Sequence, residues 1–178
     1  GSFSDGISVD TGLADASDGA LTGDNSMAEA GAAVSESLVL DFADTDKLSW
    51  PVTGNIVLGY SMDTTTYFPT LDQYKVNPAN VIQSEVSTPV SAPADARVVS
   101  VGTNEEIGNY VNLDLGNGYT AVCGQLKEIP VVENEYVHQG DLLGYVAEPT
   151  KYYTVEGTNV FFEFLKDGVP VDALDFLE

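Results

Sequence analysis

Residues 110–122 read YVNLDLGNGYTAV and carry the clearest secondary-structure signal in the chain. Apolar and polar residues alternate on both sides of Asn117 and Gly118, and this period of two sends successive side chains to opposite faces of a strand. The Asn-Gly pair suits the positive φ angles of a two-residue hairpin turn. The stretch therefore predicts two antiparallel strands joined by a tight turn.

Similar turn-forming residues recur between short strand-like runs from residue 50 onward. The sequence LKDGVPV, residues 165–171, repeats the pattern around Asp167 and Gly168. Short runs rich in β-branched and aromatic residues, such as NIVLGY, ARVVSVG and DLLGYVA, alternate with Gly, Pro and Asn, and no long helical periodicity interrupts them. We predict an all-β domain, an antiparallel sandwich or partly open barrel with little helix. Only DALDFLE, residues 172–178, indicates a closing helical turn.

Residues 1–46 have a different composition. They contain acidic residues but no Lys or Arg, and most of the others are Gly, Ser, Ala and Thr. Such a segment buries too little apolar surface to offset the entropy of ordering it. We therefore predict an acidic, flexible linker over residues 1–46 and one folded domain over residues 47–178. A short helix or strand docking between residues 27 and 42 is the alternative.

The charge balance limits the possible partners. Six basic residues stand against 28 acidic ones, a net charge of −22. This field opposes binding to nucleic acid and to anionic membranes, and it favours a basic protein partner. No run of eighteen apolar residues is present, so we expect no direct membrane insertion of this fragment.

Cysteine usage bears on the compartment. Cys123 is the only cysteine, so no intramolecular disulfide can form. A secreted protein without disulfides is ordinary in Gram-positive bacteria. Together with the acidic first segment, this leads us to expect an extracytoplasmic domain at the cell surface of a Gram-positive-type bacterium. Its anchor would be an N-terminal segment missing from this chain.

Several stretches, in the same order, resemble the M23 (LytM, lysostaphin-type) zinc endopeptidases. Residues 88–101 and 108–126 resemble the central hairpins of that family, and EYVHQGDLLGYV, residues 135–146, resembles its turn-and-strand segment. Residues 157–177 fall where the family has a Gly-x-His-x-His-Phe-Glu strand, a hairpin and a closing turn. The similarity extends over residues 50–177. It implies the LytM fold, a β-structure of the duplicated hybrid motif type.

The resemblance also indicates which chemistry is missing. The family holds Zn²⁺ with His, Asp and His, leaves a fourth position open for water, and uses two further histidines in catalysis. These functional positions fall on Asn77, Val81, Gln125, Asn159 and Phe161. His138 is the only histidine, and the resemblance places it on an exposed turn away from the groove. We therefore predict no bound metal, no cofactor and no catalytic residues.

The late strand is expected to form the floor of the family's substrate groove. Alternation puts Asn159, Phe161 and Glu163 on the groove face and leaves the residues between them to the core. The candidate groove and binding residues are Tyr60, Tyr67, Tyr74, Tyr152, Tyr153 and Glu163. Exposed aromatics near Asn and Gln suit sugars or an extended peptide. The alternative is that half or more of the aromatics pack within hairpins.

These observations predict a catalytically inactive M23/LytM-like domain that acts as a binding or scaffolding module at the bacterial cell envelope. It resembles the metal-less LytM-like domains of Gram-positive cell-envelope and sporulation proteins. The expected ligand is an envelope protein partner, with peptidoglycan as second choice. One alternative is an active M23-type metalloendopeptidase that cleaves peptidoglycan cross-links. Another is a carrier domain of the biotinyl or lipoyl type, suggested by GDLLG at residues 140–144. No lysine here has the Met-Lys-Met-type sequence context that such a carrier needs.

Overall fold

The structure of the protein, a computed structural model, describes residues 37–178. The strands in this range are Ile56–Leu58 (β1), Ser61–Phe68 (β2), Gln73–Asn77 (β3), Asn80–Gln83 (β4), Pro89–Ser91 (β5), Ala96–Asn104 (β6), Gly108–Gly116 (β7), Tyr119–Lys127 (β8), Tyr136–Val137 (β9), Leu142–Val146 (β10), Asn159–Lys166 (β11) and Val169–Val171 (β12). A short 3₁₀ helix, Ala173–Asp175, follows them. No helix in the described range has the length and hydropathy needed to cross a membrane.

Ten of the strands form one antiparallel sheet. Its main order is β9-β6-β7-β8-β11-β4-β1, while β10 pairs with both β5 and β8, and β12 pairs with β11. Strands β2 and β3 form a separate two-stranded ribbon. The prediction of an all-β, antiparallel fold with little helix is confirmed. In this arrangement β11 lies between β8 and β4, at the centre of the sheet.

Both predicted hairpin turns are present. Asn117 and Gly118 have φ angles of 54° and 85°, and Asp167 and Gly168 have φ angles of 52° and 80°. All four lie in the left-handed region that a two-residue hairpin turn requires. A Cβ on Gly118 would lie 2.1 Å from Oδ1 of Asp167, so the two turns pack side by side, and the φ of 85° favours glycine at this position.

The two faces of β11 pack into different hydrophobic clusters. Val160, Phe162 and Phe164 are buried in the main core, as predicted. Phe161, on the opposite face, packs into a smaller cluster. The other buried members of this smaller cluster are Leu58, Phe68, Ala79, Val81, Ile107 and Tyr153. The face expected to line the groove is therefore largely covered by apolar side chains.

The folded contacts begin before residue 47. Phe42 is 7% exposed, and its ring packs edge-on against Tyr119 and Phe164. Its backbone N–H donates to the carbonyl of Leu115 at 3.2 Å. Phe42, at the end of the 27–42 stretch where docking was the alternative, thus packs against the domain although it lies before the predicted boundary at residue 47. Residues 1–36 of the predicted linker lie outside the described residues.

The last residues close the domain against the first described segment. Asp172 caps the 3₁₀ helix, accepting a hydrogen bond from the N–H of Leu174 at 3.0 Å. Leu48 and Leu177 form a parallel β-bridge. The Leu48 N–H donates to the Phe176 carbonyl at 2.8 Å, and the Glu178 N–H donates to the Leu48 carbonyl at 3.1 Å. The expected closing helical turn is therefore confirmed.

Candidate functional site

The five positions that the resemblance assigns to the family's metal and catalytic side chains lie together around β11. Val81 on β4 pairs with Phe161 on one side of this strand. Gly124 on β8 pairs with Phe161 on the other side, which brings the next residue, Gln125, towards Asn159. Asn77, at the end of β3, lines the same cleft as Phe161. Three parts of the chain thus converge on one place.

The side-chain amides of Gln125 and Asn159 are hydrogen-bonded to each other. The Gln125 Nε2 donates to Asn159 Oδ1, and both side chains are buried. The Thr150 N–H donates to Gln125 Oε1 at 2.9 Å, and Asn159 Nδ2 donates to the Gly157 carbonyl at 2.6 Å. Every polar side-chain atom of the pair has a partner within the protein. Neither amide is free to ligate an ion.

The backbone at Gln125 is held in an unusual conformation. Its φ angle is 63°, in the left-handed region that is unfavourable for a residue with a Cβ. Its N–H donates to the Ile107 carbonyl at 2.6 Å, and its carbonyl accepts from the Ala147 N–H at 3.0 Å. These bonds, together with those of its side chain, keep the residue aimed at Asn159.

The remaining three positions offer no metal ligand. Val81 is fully buried and Phe161 is 6% exposed, so their side chains fill the space beside β11. Asn77 is buried and bonds locally: its Nδ2 donates to the Gly59 carbonyl at 2.8 Å, and its Oδ1 accepts from the Ala79 N–H at 3.2 Å. Across residues 37–178, no three His, Cys, Asp or Glu side chains group closely enough to hold a metal ion. The side chains present do not fit the family's zinc.

The only thiol and the only imidazole lie elsewhere. Cys123 is fully buried in the main core, and burial raises the pKa of its thiol to about 12, so the nucleophilic thiolate is not formed at neutral pH. His138 is exposed on the turn before β10, as predicted, with Nδ1 3.9 Å from Oδ1 of Asp95. Neither side chain is positioned to act at β11.

A cleft of about 240 Å³ opens beside Phe161. Its lining comprises three apolar side chains of the smaller cluster, a proline, two asparagines, a tyrosine and three charged residues. These residues are Phe68, Lys75, Asn77, Pro78, Asn104, Glu106, Ile107, Tyr153, Phe161 and Glu163. The cleft thus combines aromatic side chains with charged ones, and neither Gln125 nor Asn159 lines it.

Two carboxylates and one ammonium group surround this cleft. Lys75 Nζ lies 3.7 Å from Glu106 Oε2 and 4.6 Å from the centre of the Phe68 ring. Glu163 is half-buried, and no cationic nitrogen of residues 37–178 forms an ion pair with it. The pKa of Glu163 is raised, first by burial and second by repulsion from Glu106. The cleft therefore contains one paired and one unpaired carboxylate.

Tyr153 is the predicted groove aromatic that reaches the cleft. Its side chain is 2% exposed, and burial is the main cause of its raised pKa, followed by the negative charge of Glu106. Tyr152, beside it, is half-buried against the smaller hydrophobic cluster. Of the predicted binding set, Tyr153 and Glu163 lie at the cleft.

The other predicted aromatics lie elsewhere. Tyr67 and Tyr74 pack against each other on the β2–β3 ribbon with ring centres 5.1 Å apart, and they are 41% and 73% exposed. The Tyr60 hydroxyl donates to the Pro170 carbonyl at 3.2 Å, which directs this ring to β12. Tyr60 is therefore not brought to the cleft, because its position after β1 directs it to the neighbouring hairpin.

Sequence reasoning missed the residues on the opposite rim. Asn104 Oδ1 accepts hydrogen bonds from the N–H groups of Glu106 and Ile107, at 2.9 and 2.8 Å, and so shapes the turn between β6 and β7. The polar sequence NEEIG signals such a turn. Nothing in it indicates which groove the turn overhangs, because that depends on the curvature of the sheet.

Comparison with known proteins identifies the family. The model of peptidase family M23 matches residues 75–173, more than half of the chain, and the chain belongs to this family. Stage II sporulation protein Q of Bacillus subtilis (strain 168) is 29% identical over 89 residues, which are 50% of this chain and 31% of that protein. This chain thus spans about a third of the length of that relative.

Solved structures share the fold. The SpoIIQ–SpoIIIAH pore-forming complex contains a chain that is 23% identical with a TM-score of 0.64; the match covers 75% of this chain and 92% of that one. Csd3 of Helicobacter pylori is 18% identical with a TM-score of 0.62, over 75% of this chain and 35% of that one. The lysostaphin catalytic domain of Staphylococcus simulans is 20% identical with a TM-score of 0.51, over 57% of this chain and 78% of that one. The predicted LytM-type fold is confirmed.

Proposed function

We propose that this chain is a catalytically inactive M23 domain that binds a protein partner at the bacterial cell envelope, outside the cytoplasm. The observation that carries the proposal is the interior of the site around β11. At positions that the resemblance assigns to the family's zinc chemistry, this protein has an amide pair bonded to itself and a buried phenyl ring. Side chains of this kind stabilise a fold but cannot activate water.

A protein partner is the ligand class that the other observations favour. A structural neighbour with the same fold, SpoIIQ, is solved in complex with a second protein, SpoIIIAH. The net charge of −22 supplies a long-range attraction for a basic surface. Peptidoglycan is the second candidate ligand, since lysostaphin, a peptidase, has the same fold.

Metal content and cell-wall turbidity test the inactivity. The purified 178-residue chain is incubated with Zn²⁺, dialysed and analysed for bound zinc, then added to suspended cell walls. The lysostaphin catalytic domain serves as the positive control. We expect substoichiometric zinc and constant turbidity. Tightly bound zinc at one ion per chain together with loss of turbidity would show an active peptidase and refute the proposal.

Capture followed by reconstitution tests the binding. The immobilised chain is exposed to envelope extract, the retained proteins are identified by mass spectrometry, and each candidate is purified and titrated against the chain by calorimetry. We expect at least one extracytoplasmic protein to bind with defined stoichiometry. A chain that binds purified peptidoglycan but no purified envelope protein would contradict the choice of a protein partner.

A further inference from the structure

The cleft beside Phe161 has features that point to the chemistry of its occupant, and this inference rests on the proposed function. We propose that the cleft receives a basic side chain, lysine or arginine, of the protein partner, with Glu163 as its counter-ion. The inference is carried by an unpaired carboxylate, a tyrosine hydroxyl that faces the cleft, and an ammonium site already present in the cleft wall.

The first observation is the state of Glu163. Its carboxylate is half-buried at the cleft, and it lacks an ion-pair partner among the residues that the structure describes. A carboxylate removed from water without a counter-ion is destabilising. Consistently, its pKa is raised by burial and then by Glu106. A cation placed in the cleft would offset both effects.

The second observation is independent and concerns Tyr153. This side chain is 2% exposed and lines the cleft, yet its hydroxyl makes no hydrogen bond to any residue in the described range. The hydroxyl is not among the side-chain atoms of the described residues that are sealed from water without a partner, so it keeps contact with the cleft. An N–H donor entering the cleft can donate to this oxygen.

The third observation is that the cleft wall already binds an ammonium group. Lys75 Nζ lies beside the Glu106 carboxylate and above the ring of Phe68. A carboxylate with an aromatic face is a favourable environment for an alkylammonium or guanidinium ion. Glu163 and Phe161 line the same cleft and offer the same two groups, and no cation of the described residues pairs with the Glu163 carboxylate. The floor would pack against the aliphatic stem of a long basic side chain.

Size and charge agree with this occupant. At about 240 Å³ the cleft is smaller than the roughly 300–1,000 Å³ typical of sites for drug-sized ligands, so a single side chain suits it. The acidic surface attracts a basic partner and repels an acidic one. Lys75 neutralises only Glu106, which leaves one negative charge for the incoming group.

Binding of small probes to the full chain tests the chemistry directly. Nα-acetyl-lysine amide and Nα-acetyl-arginine amide are titrated into the ¹⁵N-labelled protein, with the norleucine and citrulline analogues as neutral controls of matched shape. We expect the basic probes to shift amide signals of Glu163, Tyr153 and Ile107, and the neutral probes to bind about tenfold more weakly or not at all. Equal shifts with both kinds of probe would overturn the inference.

Two variants make the assignment specific. Glu163→Gln removes the charge with little change in shape. It should lower the affinity for the basic probes about tenfold, since hydrogen bonds to charged groups are stronger than those between neutral groups. Glu133→Gln makes the same charge change on an exposed loop and should leave their affinity unchanged. Tyr153→Phe should lower the affinity for the basic probes and leave the affinity for the neutral analogues unchanged. Unchanged affinity in Glu163→Gln would refute the role of Glu163.

Binding measurements with a purified partner distinguish a failure of this inference from a failure of the proposed function. Once a partner has been purified, its affinity is measured for the parent chain, for Glu163→Gln and for Glu133→Gln. Loss in the first variant alone supports the inference. Equal binding by all three refutes the inference and leaves the proposed function standing. Failure of the parent chain to bind any envelope protein refutes the proposed function.

Discussion

Gln125 and Asn159 show how two neutral side chains can make the interior of this site self-sufficient. Each amide satisfies the other and also a backbone group, Thr150 N–H in one case and the Gly157 carbonyl in the other. Because buried amides are costly when unpaired, this network has to be complete to stabilise the fold. At the scale of single residues, we therefore expect these two amides to act in stability rather than in ligation.

Replacing Gln125 by alanine tests this stabilising role. The variant leaves Asn159 Oδ1 and the Thr150 N–H without their partners in a buried environment, so we expect a loss of about 3 kcal/mol in the free energy of unfolding. Urea denaturation followed by circular dichroism measures it. Gln73→Ala, at an exposed position on β3, is the matched control and should change stability by less than about 0.5 kcal/mol. A similar loss in both variants would contradict the network's role.

The raised pKa of Glu163 predicts how the stability of the fold depends on pH. Its pKa in the folded state is raised above the ordinary 4.5, so folding disfavours the ionised carboxylate. The wild type therefore loses stability as pH rises from the unfolded value through the folded one. We expect Glu163→Gln to be more stable at pH 7, by less than about 1 kcal/mol because the group is partly solvated, and equal to wild type below about pH 4. Thermal melts over this range, with Glu133→Gln as control, measure the difference; greater stability of the wild type at pH 7 would contradict it.

At the scale of elements, substitutions on β11 alone cannot create a catalytic zinc site. It presents Asn159, Phe161 and Glu163 to one side and the main core residues to the other. Placing two histidines on this strand would still leave Asn77 and Val81 at the positions that the resemblance assigns to the two upstream ligands. A catalytic zinc needs three protein ligands, and two imidazoles alone do not provide them.

The double variant Asn159→His with Phe161→His should therefore create neither tight zinc binding nor cell-wall hydrolysis. Calorimetric titration with Zn²⁺ and turbidity of cell-wall suspensions are the measurements, with the lysostaphin catalytic domain as a positive control. Circular dichroism establishes that the variant is folded, because Phe161 is buried in the smaller cluster. Cleavage by the folded double variant would refute the assignment of Asn77 and Val81.

The elements also show which features can be predicted from sequence. Hairpin turns at Asn117-Gly118 and Asp167-Gly168 depend on a few neighbouring residues, and alternation along β11 is a local property as well. Both were therefore predictable. The direction of Tyr60 and the approach of Glu106 to Glu163 depend on how distant hairpins meet across the curved sheet. The packing of Phe42 was left open between two alternatives for a similar reason, since its partners Tyr119 and Phe164 are far away in sequence.

At the scale of the whole molecule, the excess of negative charge acts on stability. A net charge of −22 gives a repulsive field that disfavours the compact state. We expect the melting temperature at pH 7 to rise as NaCl increases from about 0.01 M to about 0.15 M, because the Debye length falls from roughly 30 Å to roughly 8 Å. Differential scanning calorimetry measures it. The same series near the isoelectric point, about 4.1, is the control and should show little change; a flat series at pH 7 would contradict the repulsion.

The parallel bridge between Leu48 and Leu177 has a mechanical consequence. Because the two segments run in the same direction, tension between the start and the end of the domain pulls them past each other lengthwise. Both hydrogen bonds at this bridge, from the Leu48 N–H and to the Leu48 carbonyl, would then bear the load at the same moment instead of opening one after the other. We therefore expect this bridge to need a higher force to open than a pair of strands whose hydrogen bonds break one at a time.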